Sequence, residues 1–416
     1  MFIASVVGSL DYHVGFPGRI SGLSVASEAF RKERRLSGLP CRHSGMRPVS
    51  RRKMPAGAKQ IVLHYTGYTV DDGGILAVIR ALAAAGGFAS ILGVSAAFVQ
   101  RGQPRLAVWR GPSVAGERVG PLNLWRTLRV ALRVRRWLRR GGRRIFHGHS
   151  RAGLLVALWL VLLGERRVVA TVHVFGRQRW FYRRAAGVLG PRLFWLGPAM
   201  KHYYGVGSGT WSGCLPDCVP RSAVRARKTR AATQPVIFGC AGGLVPVKQW
   251  ELVIEALARV PKAVPLRVVH VGAPDPGAGS AGYAARLRRR CDELGVAWRF
   301  EWRGATGDMD SFLDEIDCLI VASSREASSV AALEAVAASV PVLASAASGT
   351  RDLVDRCAGG WLFAADSAEA LSRRMSELAC GPELAAWRRD EAGLQEFLAA
   401  ASAEAHLAVY RDALAR

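Results

Sequence analysis

The sequence predicts an α/β protein with two Rossmann-like, doubly wound parallel sheets that face a central cleft. Short apolar runs typical of buried strands alternate with helical patterns, and no hairpin signal separates two of these runs. The succession of strand, glycine-rich loop and helix occurs near residue 60 and again near residue 235. A chain of 416 residues is long enough for two such domains, each with its own core.

We expect four parts along the chain. Residues 1–53 carry ten basic residues, three acidic residues and eight serines without sustained periodicity. We interpret this segment as a disordered extension or the consequence of a start site placed too early. Residues 54–225 and 226–383 are the two expected Rossmann-like domains, and residues 384–416 form a helical tail.

The first domain opens with a strand, a glycine loop and a helix. The run KQIVLHYT predicts a buried strand, and the loop GYTVDDGG leads into a helix from Ile75 to about Ala85. Small loop residues allow backbone N–H groups and the helix N-terminus to approach an anion. Gly74 is therefore a candidate anion-binding residue.

An arginine-rich region follows at residues 101–151, with fourteen arginines and one acidic residue. Within it, residues 121–140 predict a basic amphipathic helix, whose apolar face we expect to consist of Trp125, Leu128, Leu132, Trp137 and Leu138. Two interpretations remain open, a solvated outer helix packed on the sheet and a helix that docks reversibly on anionic lipid. Nucleic acid is a weaker candidate because no recognition motif accompanies the charge.

Histidines at strand ends are further candidates. His147 and His149 follow an apolar run, but no third ligand stands at a fixed spacing, so they indicate a strand-end or core role rather than a metal site. The next strand ends at Thr171-Val172-His173. Because ligands of doubly wound sheets bind outside the carboxyl ends of the strands, His173 is a candidate cleft residue.

The second domain repeats the anion-binding pattern in PVIFGCAGGLVPVKQW. Gly242 lies in the loop after the predicted strand, and Lys248 begins the helix that follows. A lysine at this place can neutralise a phosphate group that approaches the helix N-terminus.

The most informative stretch is residues 317–363. The apolar run 319–322 predicts a buried strand, an Ala-rich helix follows, and Pro341 ends that helix before the next strand. Two carboxylates stand eight positions apart, Glu326 in the loop and Glu334 inside the helix. Because an unpaired buried carboxylate is costly, we expect Glu334 to have a hydroxyl or cation partner.

With its flanking Leu-Glu-Ala and Pro-Val-Leu-Ala-Ser segments, this pair of glutamates resembles the nucleotide-sugar half of retaining GT-B glycosyltransferases, the glycogen-synthase-like group called family 4. The resemblance implies that Glu326 lies by the donor sugar and phosphates and that Glu334 binds the ribose hydroxyls. It also implies catalytic roles for Glu326 and for His173, which reaches the donor sugar. The other donor-binding residues that it implies are Gly74, Gly242, Lys248, Ser328, Ser329 and Val330.

The resemblance further implies a retaining, hexosyltransferase-type enzyme that moves a sugar from a nucleotide-diphosphate sugar to a glycan or lipid-linked acceptor, as in cell-envelope or exopolysaccharide synthesis. It implies no metal and no other cofactor, and a helical tail that crosses back over the first domain. One position departs from the pattern: Gly243 stands where the family has a phosphate-binding arginine. That departure favours an alternative, a catalytically silent donor-binding scaffold. A sugar-nucleotide epimerase of the same architecture is a further alternative.

Charge and cysteine usage point to the surroundings. The net charge is +26, yet residues 1–300 carry 48 basic and 13 acidic residues, whereas residues 301–416 carry 10 and 19. The first half is therefore expected to face something anionic. Eight scattered cysteines without a C-x-x-C pair indicate a reducing compartment, and no apolar run is long enough to span a bilayer. We expect a cytoplasmic protein, and residues 101–151 are the candidate contact with the inner membrane face if the helix docks on lipid.

Overall fold

The structure, a computed structural model, describes residues 60–416 apart from residues 72, 101, 103, 115–119, 177, 207–212, 227–233 and 275–279. The extension expected at residues 1–53 lies outside the described residues. So do seven positions of the arginine-rich region, namely 101, 103 and 115–119, and residue 177. The described residues include most of both predicted domains and the whole C-terminal tail.

The first sheet contains six parallel strands in the order β3-β2-β1-β4-β5-β6. Their bounds are β1 Ile61–Tyr65, β2 Ala89–Ser95, β3 Ala107–Gly111, β4 Arg144–Gly148, β5 Val168–Val172 and β6 Leu193–Trp195. The central strands are covered by helices on both faces, which explains their continuous apolar sequences. The flanking helices are α1 Gly74–Ala85, α2 Pro121–Arg139, α3 Arg151–Leu162, α4 Arg179–Leu189 and α5 Pro198–Tyr204.

The second sheet repeats this topology, in the order β12-β11-β10-β7-β8-β9 and again with every pair parallel. Its strands are β7 Val236–Ala241, β8 Leu266–Val271, β9 Phe300–Trp302, β10 Cys318–Val321, β11 Val342–Ser345 and β12 Gly360–Phe363. Its helices are α6 Trp250–Arg259, α7 Ser280–Glu293, α8 Met309–Glu315, α9 Val330–Ala337, α10 Arg351–Cys357 and α11 Ala368–Cys380. The predicted class, two doubly wound parallel sheets, is confirmed.

The C-terminal segment is divided into three helices, α12 Glu383–Ala386, α13 Glu391–Gln395 and α14 Ala399–Ala415. The last of these packs on the first sheet, where Tyr410 is fully buried and Phe88 contacts its ring edge-on. The Tyr410 hydroxyl lies 2.7 Å from His147 Nδ1, so the end of the chain completes a polar cluster under the first sheet.

Helix α2 is amphipathic, and of the predicted apolar face Leu138 is buried and Leu128 and Trp137 are partly buried, but the prediction is wrong for Trp125 and Leu132. Its buried side is formed by Asn123, Thr127, Val130, Ala131, Val134 and Leu138, which pack against α3. The small side chains of this face allow the two helices to approach closely, and Trp159 Nε1 donates to Thr127 Oγ1 at 3.2 Å. Trp125 and Leu132 instead lie on the opposite side, exposed to 57% and 40%.

Two general properties concern the surroundings of the protein. Within the described ranges, no helix combines the length and apolar character that crossing a membrane requires. The seven described cysteines are all free thiols, and five of them are buried in the cores.

Candidate active site

The topology brings the predicted site residues to one edge of each sheet. In both sheets the first and fourth strands are neighbours, β1 with β4 and β7 with β10, and the strand order reverses between them. Ligands of such sheets bind beyond the carboxyl ends of the strands at this switch point. Gly74 follows β1, Lys248 follows β7 and Glu326 follows β10, so all three lie beyond these ends.

Lys248 and Glu326, 78 residues apart in sequence, form the centre of the second-domain site. Lys248 Nζ lies 2.7 Å from Glu326 Oε1, and Ser323 Oγ donates to Glu326 Oε2 at 2.6 Å. The two loops are also joined through their backbones, because Ser324 N–H donates to the Val247 carbonyl at 3.1 Å. Both side chains remain partly exposed, 22% for the lysine and 15% for the glutamate. A ligand phosphate can therefore reach the ammonium group.

Helix α9 begins at Val330, shortly after Glu326, so its N-terminus lies at the same end of β10. Ser329 is its N-cap, and the hydroxyl accepts a hydrogen bond from Ala332 N–H at 3.3 Å. The backbone N–H groups of Ser328, Ser329 and Val330 donate to no other described residue. They are free donors at the positive end of a helix, which suits an anion.

Gly74 and Val330 bring the two domains into contact. A Cβ atom at position 74 would lie only 2.6 Å from Val330 Cγ2, so a larger residue would force the two helices apart. The glycine loop after β1 and the N-terminus of α9 thus face each other across the cleft. Beside them, Asp217 of the first domain and Ser328 and Ser329 of the second line a small interdomain cavity.

The glycine loop after β7 is held by its own helix. Gly242 has a φ of 142°, a conformation that other residues rarely adopt. The Gly243 carbonyl accepts a hydrogen bond from Trp250 Nε1 at 3.0 Å. At Gly243 itself, φ does not require glycine, and an added Cβ would meet only the Ala273 carbonyl oxygen at 3.6 Å. Backbone geometry therefore does not explain why this position lacks a side chain.

The side chain of Glu334 has no hydrogen bond or ion pair with a described residue, so the expected hydroxyl or cation partner is not among the described residues. It lies on the half-buried side of α9, one turn after the free N–H groups. Burial raises the pKa of its carboxyl to about 7, with a smaller contribution from the negative charge of Asp310. Among the described residues, the side chain is thus an acceptor without a donor.

His173 follows β5 but contacts other first-domain residues rather than Glu326. Its Nε2 lies 3.1 Å from His149 Nδ1, and its Nδ1 lies 3.2 Å from Asp217 Oδ1. No hydrogen bond or ion pair between described residues joins it to the Lys248–Glu326 pair. Its connection to the loop before α9 runs through Asp217, which lines the same cavity as Ser328 and Ser329.

His64 supplies the third histidine that the sequence pattern lacked beside His147 and His149. One ring nitrogen of each residue lies within 4.8 Å of the others, and all three side chains are buried. Every nitrogen of the three rings, however, already lies within hydrogen-bonding distance of a described partner: Ser90, Tyr410, Thr171, His173 or another ring of the cluster. A metal ion would have to displace these contacts.

Sequence reasoning missed Asp217, Ser323 and His64. Asp217 lies in a loop without periodicity, Ser323 looked only like the end of a strand, and His64 is a polar residue inside an apolar run. A histidine in the middle of a predicted buried strand was the one available signal, because buried imidazoles require partners.

Known proteins share this fold and part of this sequence. Residues 223–392 match the family model described as glycosyl transferases group 1. No curated protein matches the chain by sequence. Among solved structures, HepE of Anabaena in complex with UDP and glucose aligns with a TM-score of 0.66 at 15% identity, covering 85% of this chain and 100% of HepE. The chain has the GT-B fold of glycosyltransferases.

Two further GT-B structures cover the chain to a similar extent. Sucrose-phosphate synthase of Thermosynechococcus elongatus aligns with a TM-score of 0.68 at 18% identity, over 86% of this chain and 99% of the synthase. The UDP-forming α,α-trehalose-phosphate synthase of Burkholderia xenovorans, in complex with glucose-6-phosphate, aligns with a TM-score of 0.67 at 11% identity, over 85% and 100%. At these identities the likeness concerns the fold, while the family match covers the GT-B domain that contains Lys248, Glu326 and Glu334.

Proposed function

We propose that this GT-B protein is a retaining glycosyltransferase that moves a sugar from a nucleotide-diphosphate sugar to a glycan or lipid-linked acceptor in cell-envelope or exopolysaccharide synthesis. The observation that carries the proposal is the contact between Lys248 Nζ and Glu326 Oε1 at 2.7 Å, beside the free N–H groups of Ser328 to Val330. A cation and three backbone donors at one helix N-terminus are the groups that a leaving diphosphate needs.

In this proposal the diphosphate displaces Glu326 from part of its contact with Lys248. Glu326 then stands beside the donor sugar, while the ammonium group and the backbone N–H groups take up the charge that develops on the leaving group. The acceptor oxygen forms its bond to the anomeric carbon on the face from which the phosphate departs, as the bond between that carbon and the phosphate oxygen breaks. Attack on this face retains the configuration. An oxygen of the leaving phosphate takes the proton of the acceptor hydroxyl. These groups supply the positive charge, so no metal ion is assigned a role.

Glu334 would bind the ribose hydroxyls, as the family resemblance implies. Its carboxylate lacks a donor among the described residues, and hydroxyl groups are the partners that a half-buried carboxylate requires. UDP-sugars are the first donors to test, because the HepE structures contain UDP and glucose or UDP-glucose.

The test is a thermal-shift series of the full chain with UDP, GDP, ADP and their common sugar conjugates, followed by a transfer assay with the best donor. A ligand at a hundred times its dissociation constant adds about 2.7 kcal/mol to the free energy of unfolding, which a melting curve detects. Stabilisation by one nucleotide series, followed by sugar transfer, supports the proposal. Binding without transfer or hydrolysis would instead favour the catalytically silent scaffold, to which Gly243 points.

We also propose that the first domain associates with the anionic face of the cytoplasmic membrane through α2. On the side of α2 away from α3, Leu122, Trp125 and Leu132 are exposed to 59%, 57% and 40%, and the exposed Arg129, Arg133 and Arg136 lie between them. None of these three arginines pairs with a described carboxylate. Aromatic and apolar side chains among unpaired arginines on one helix face suit an anionic lipid surface.

A further inference from the structure

A chain of buried imidazoles runs beneath the carboxyl ends of the first sheet. Ser90 Oγ lies 3.4 Å from His64 Nε2, His64 Nδ1 lies 2.9 Å from His149 Nε2, and His149 Nδ1 lies 3.1 Å from His173 Nε2. These residues belong to β2, to β1 and to the segments that follow β4 and β5, which are consecutive neighbours in the sheet. In the parallel register Ser90 is paired with Val62 and His64 with His147, so the row steps two residues towards the carboxyl ends at each strand.

Asp217 stands at the cleft end of this row. Its Oδ1 lies 3.2 Å from His173 Nδ1, and the side chains of both residues are almost fully buried, with exposures of 6% and 5%. Neither atom has a hydrogen bond to a described residue, so the 3.2 Å approach is the polar contact that the structure shows for each of them. The same aspartate lines the interdomain cavity with Ser328 and Ser329.

The chemistry of the groups determines where the protons lie. A neutral imidazole has one N–H donor and one acceptor nitrogen, and an ionised carboxylate only accepts. Burial lowers the pKa of His64 to about 3 and that of His149 well below its ordinary value, so both rings are neutral near pH 7. With the carboxylate at one end, His173 carries its proton on Nδ1, and each preceding ring donates from Nδ1 to the Nε2 of the next. Ser90 Oγ–H then donates to His64 Nε2.

We propose that Asp217, His149 and His64 are positioning residues that hold the ring of His173 in its Nδ1–H tautomer at the first-domain wall of the cleft. In this arrangement His173 Nε2 is an acceptor that His149 already occupies. Both ring nitrogens are then engaged, Nδ1 with Asp217 and Nε2 with His149, so the ring is a fixed part of the cleft wall rather than a base for the acceptor hydroxyl. Only this last consequence rests on the proposed sugar-transfer function.

The tautomers can be measured without substrate. Long-range ¹H–¹⁵N correlation spectra of the full chain labelled with ¹⁵N-histidine distinguish Nδ1–H from Nε2–H rings, and through-bond correlation to the backbone assigns them. His64, His149 and His173 are all expected as Nδ1–H tautomers near pH 7. An Nε2–H tautomer at any of the three positions overturns the proposal, whether or not the protein transfers sugar.

Variants test whether the row positions His173. In Asp217→Asn the amide can donate as well as accept, so the His173 signal should become a mixture of tautomers. Turnover should fall about tenfold or more, with little change in the melting temperature. In His149→Asn the amide N–H occupies the place of Nδ1–H, so the spectrum should still show His173 as the Nδ1–H tautomer. In His149→Gln the amide lies near the place of Nε2, so this tautomer should no longer be held.

The two proposals fail in different ways. If wild-type turnover is absent, the tautomers and their response to Asp217→Asn still decide whether the row holds His173. If turnover is present and the His173 tautomer is unchanged in Asp217→Asn, the positioning role is overturned and sugar transfer stands. Equal loss of the His173 signal in His149→Asn and His149→Gln would also contradict donation through Nδ1.

Discussion

Lys248 Nζ lies 2.7 Å from Glu326 Oε1, a contact that connects the loop after β7 with the loop after β10. Among the described ion pairs, this one joins two of the predicted site residues at the switch point of the second sheet. The ammonium group is therefore held at this edge of the sheet, and the glutamate is held by both Lys248 and Ser323.

Replacing Lys248 by methionine should weaken nucleoside-diphosphate binding about 10- to 100-fold, because a hydrogen bond to a charged group contributes about 1.5–3 kcal/mol. Titration calorimetry with the preferred diphosphate measures this loss. Lys262→Met is the matched control, since Lys262 is an exposed lysine of the same domain. Equal affinity in wild type and Lys248→Met would remove the lysine from the donor site.

Replacing Gly243 by arginine should increase diphosphate affinity about tenfold or more, because an arginine adds charge-assisted hydrogen bonds to phosphate. The position has room for a side chain, since an added Cβ would lie 3.6 Å from its nearest neighbour, and φ is not positive there. Gly243→Met, similar in length but uncharged, is the control, and a gain shared by both variants would assign the effect to packing rather than to charge.

The class of the fold was predictable because buried parallel strands and their helices have distinct apolar patterns. The contact between Lys248 and Glu326 was not, since their patterns place Lys248 at the start of a helix and Glu326 on a loop but do not state that β7 and β10 are neighbours. For the same reason Asp217, in a loop with little pattern, could not be assigned to His173. Long-range pairing follows from sheet order, which local periodicity does not contain.

Helix α2 shows a second limit. Large apolar residues defined the predicted face, yet the structure buries small ones, Val130, Ala131 and Val134, against α3. Close helix packing favours small side chains, so size as well as hydrophobicity decides which face is buried.

Glu334 shows a third limit of prediction from sequence. The rule that buried charges are paired predicts a partner, but no described residue pairs with this carboxylate. A residue that binds a ligand can lack a partner until the ligand arrives.

Replacing Glu334 by glutamine should stabilise the unliganded protein above pH 7. The folded pKa of about 7 exceeds the ordinary value of 4.5, so the contribution of this carboxyl to stability is full below pH 4.5 and is lost as the pH rises through 7. The variant should gain about 1–3 kcal/mol in the free energy of unfolding at pH 8 and little at pH 5, by urea denaturation.

The same variant should bind donor less tightly, because the ionised carboxylate accepts hydrogen bonds from the ribose hydroxyls in the proposed function. Wild-type donor affinity should accordingly rise as the carboxyl ionises near its pKa of about 7, with proton release detectable by calorimetry in two buffers. Glu404→Gln, at an exposed position of α14, provides the control for both measurements. If Glu334→Gln binds donor more weakly but its affinity depends on pH as that of the wild type does, Glu334 affects binding only by shaping the site and not by accepting hydrogen bonds as a carboxylate.

Replacing Gly74 by alanine should disturb the contact between the domains. The new Cβ would lie 2.6 Å from Val330 Cγ2, and such overpacking costs about 1–3 kcal/mol. Adding Val330→Ala should recover part of the loss in melting temperature and donor affinity. Gly187→Ala, a helical glycine of the first domain with open space around it, should be neutral. Additive losses in the double variant would show that the two residues do not meet in solution.

The exposed face of α2 should determine binding to anionic vesicles. Replacing Arg129, Arg133 and Arg136 by glutamine should lower partitioning onto phosphatidylglycerol vesicles about 100-fold, since each basic residue near such a surface contributes about 1 kcal/mol. Trp125→Ser should weaken binding without changing its salt dependence, because it removes apolar contact and no charge. Co-sedimentation with phosphatidylglycerol and phosphatidylcholine vesicles at two salt concentrations measures both effects.

A matched triple variant separates a localised surface from the overall charge of +26. Arg286, Arg288 and Arg289 are exposed on α7 of the second domain, and their replacement by glutamine removes the same charge at a distant place. If α2 is the docking face, this control should retain most of the vesicle binding. If both triple variants lose binding equally, association reflects net charge alone, and the side chains of Leu122, Trp125 and Leu132 do not insert into the lipid.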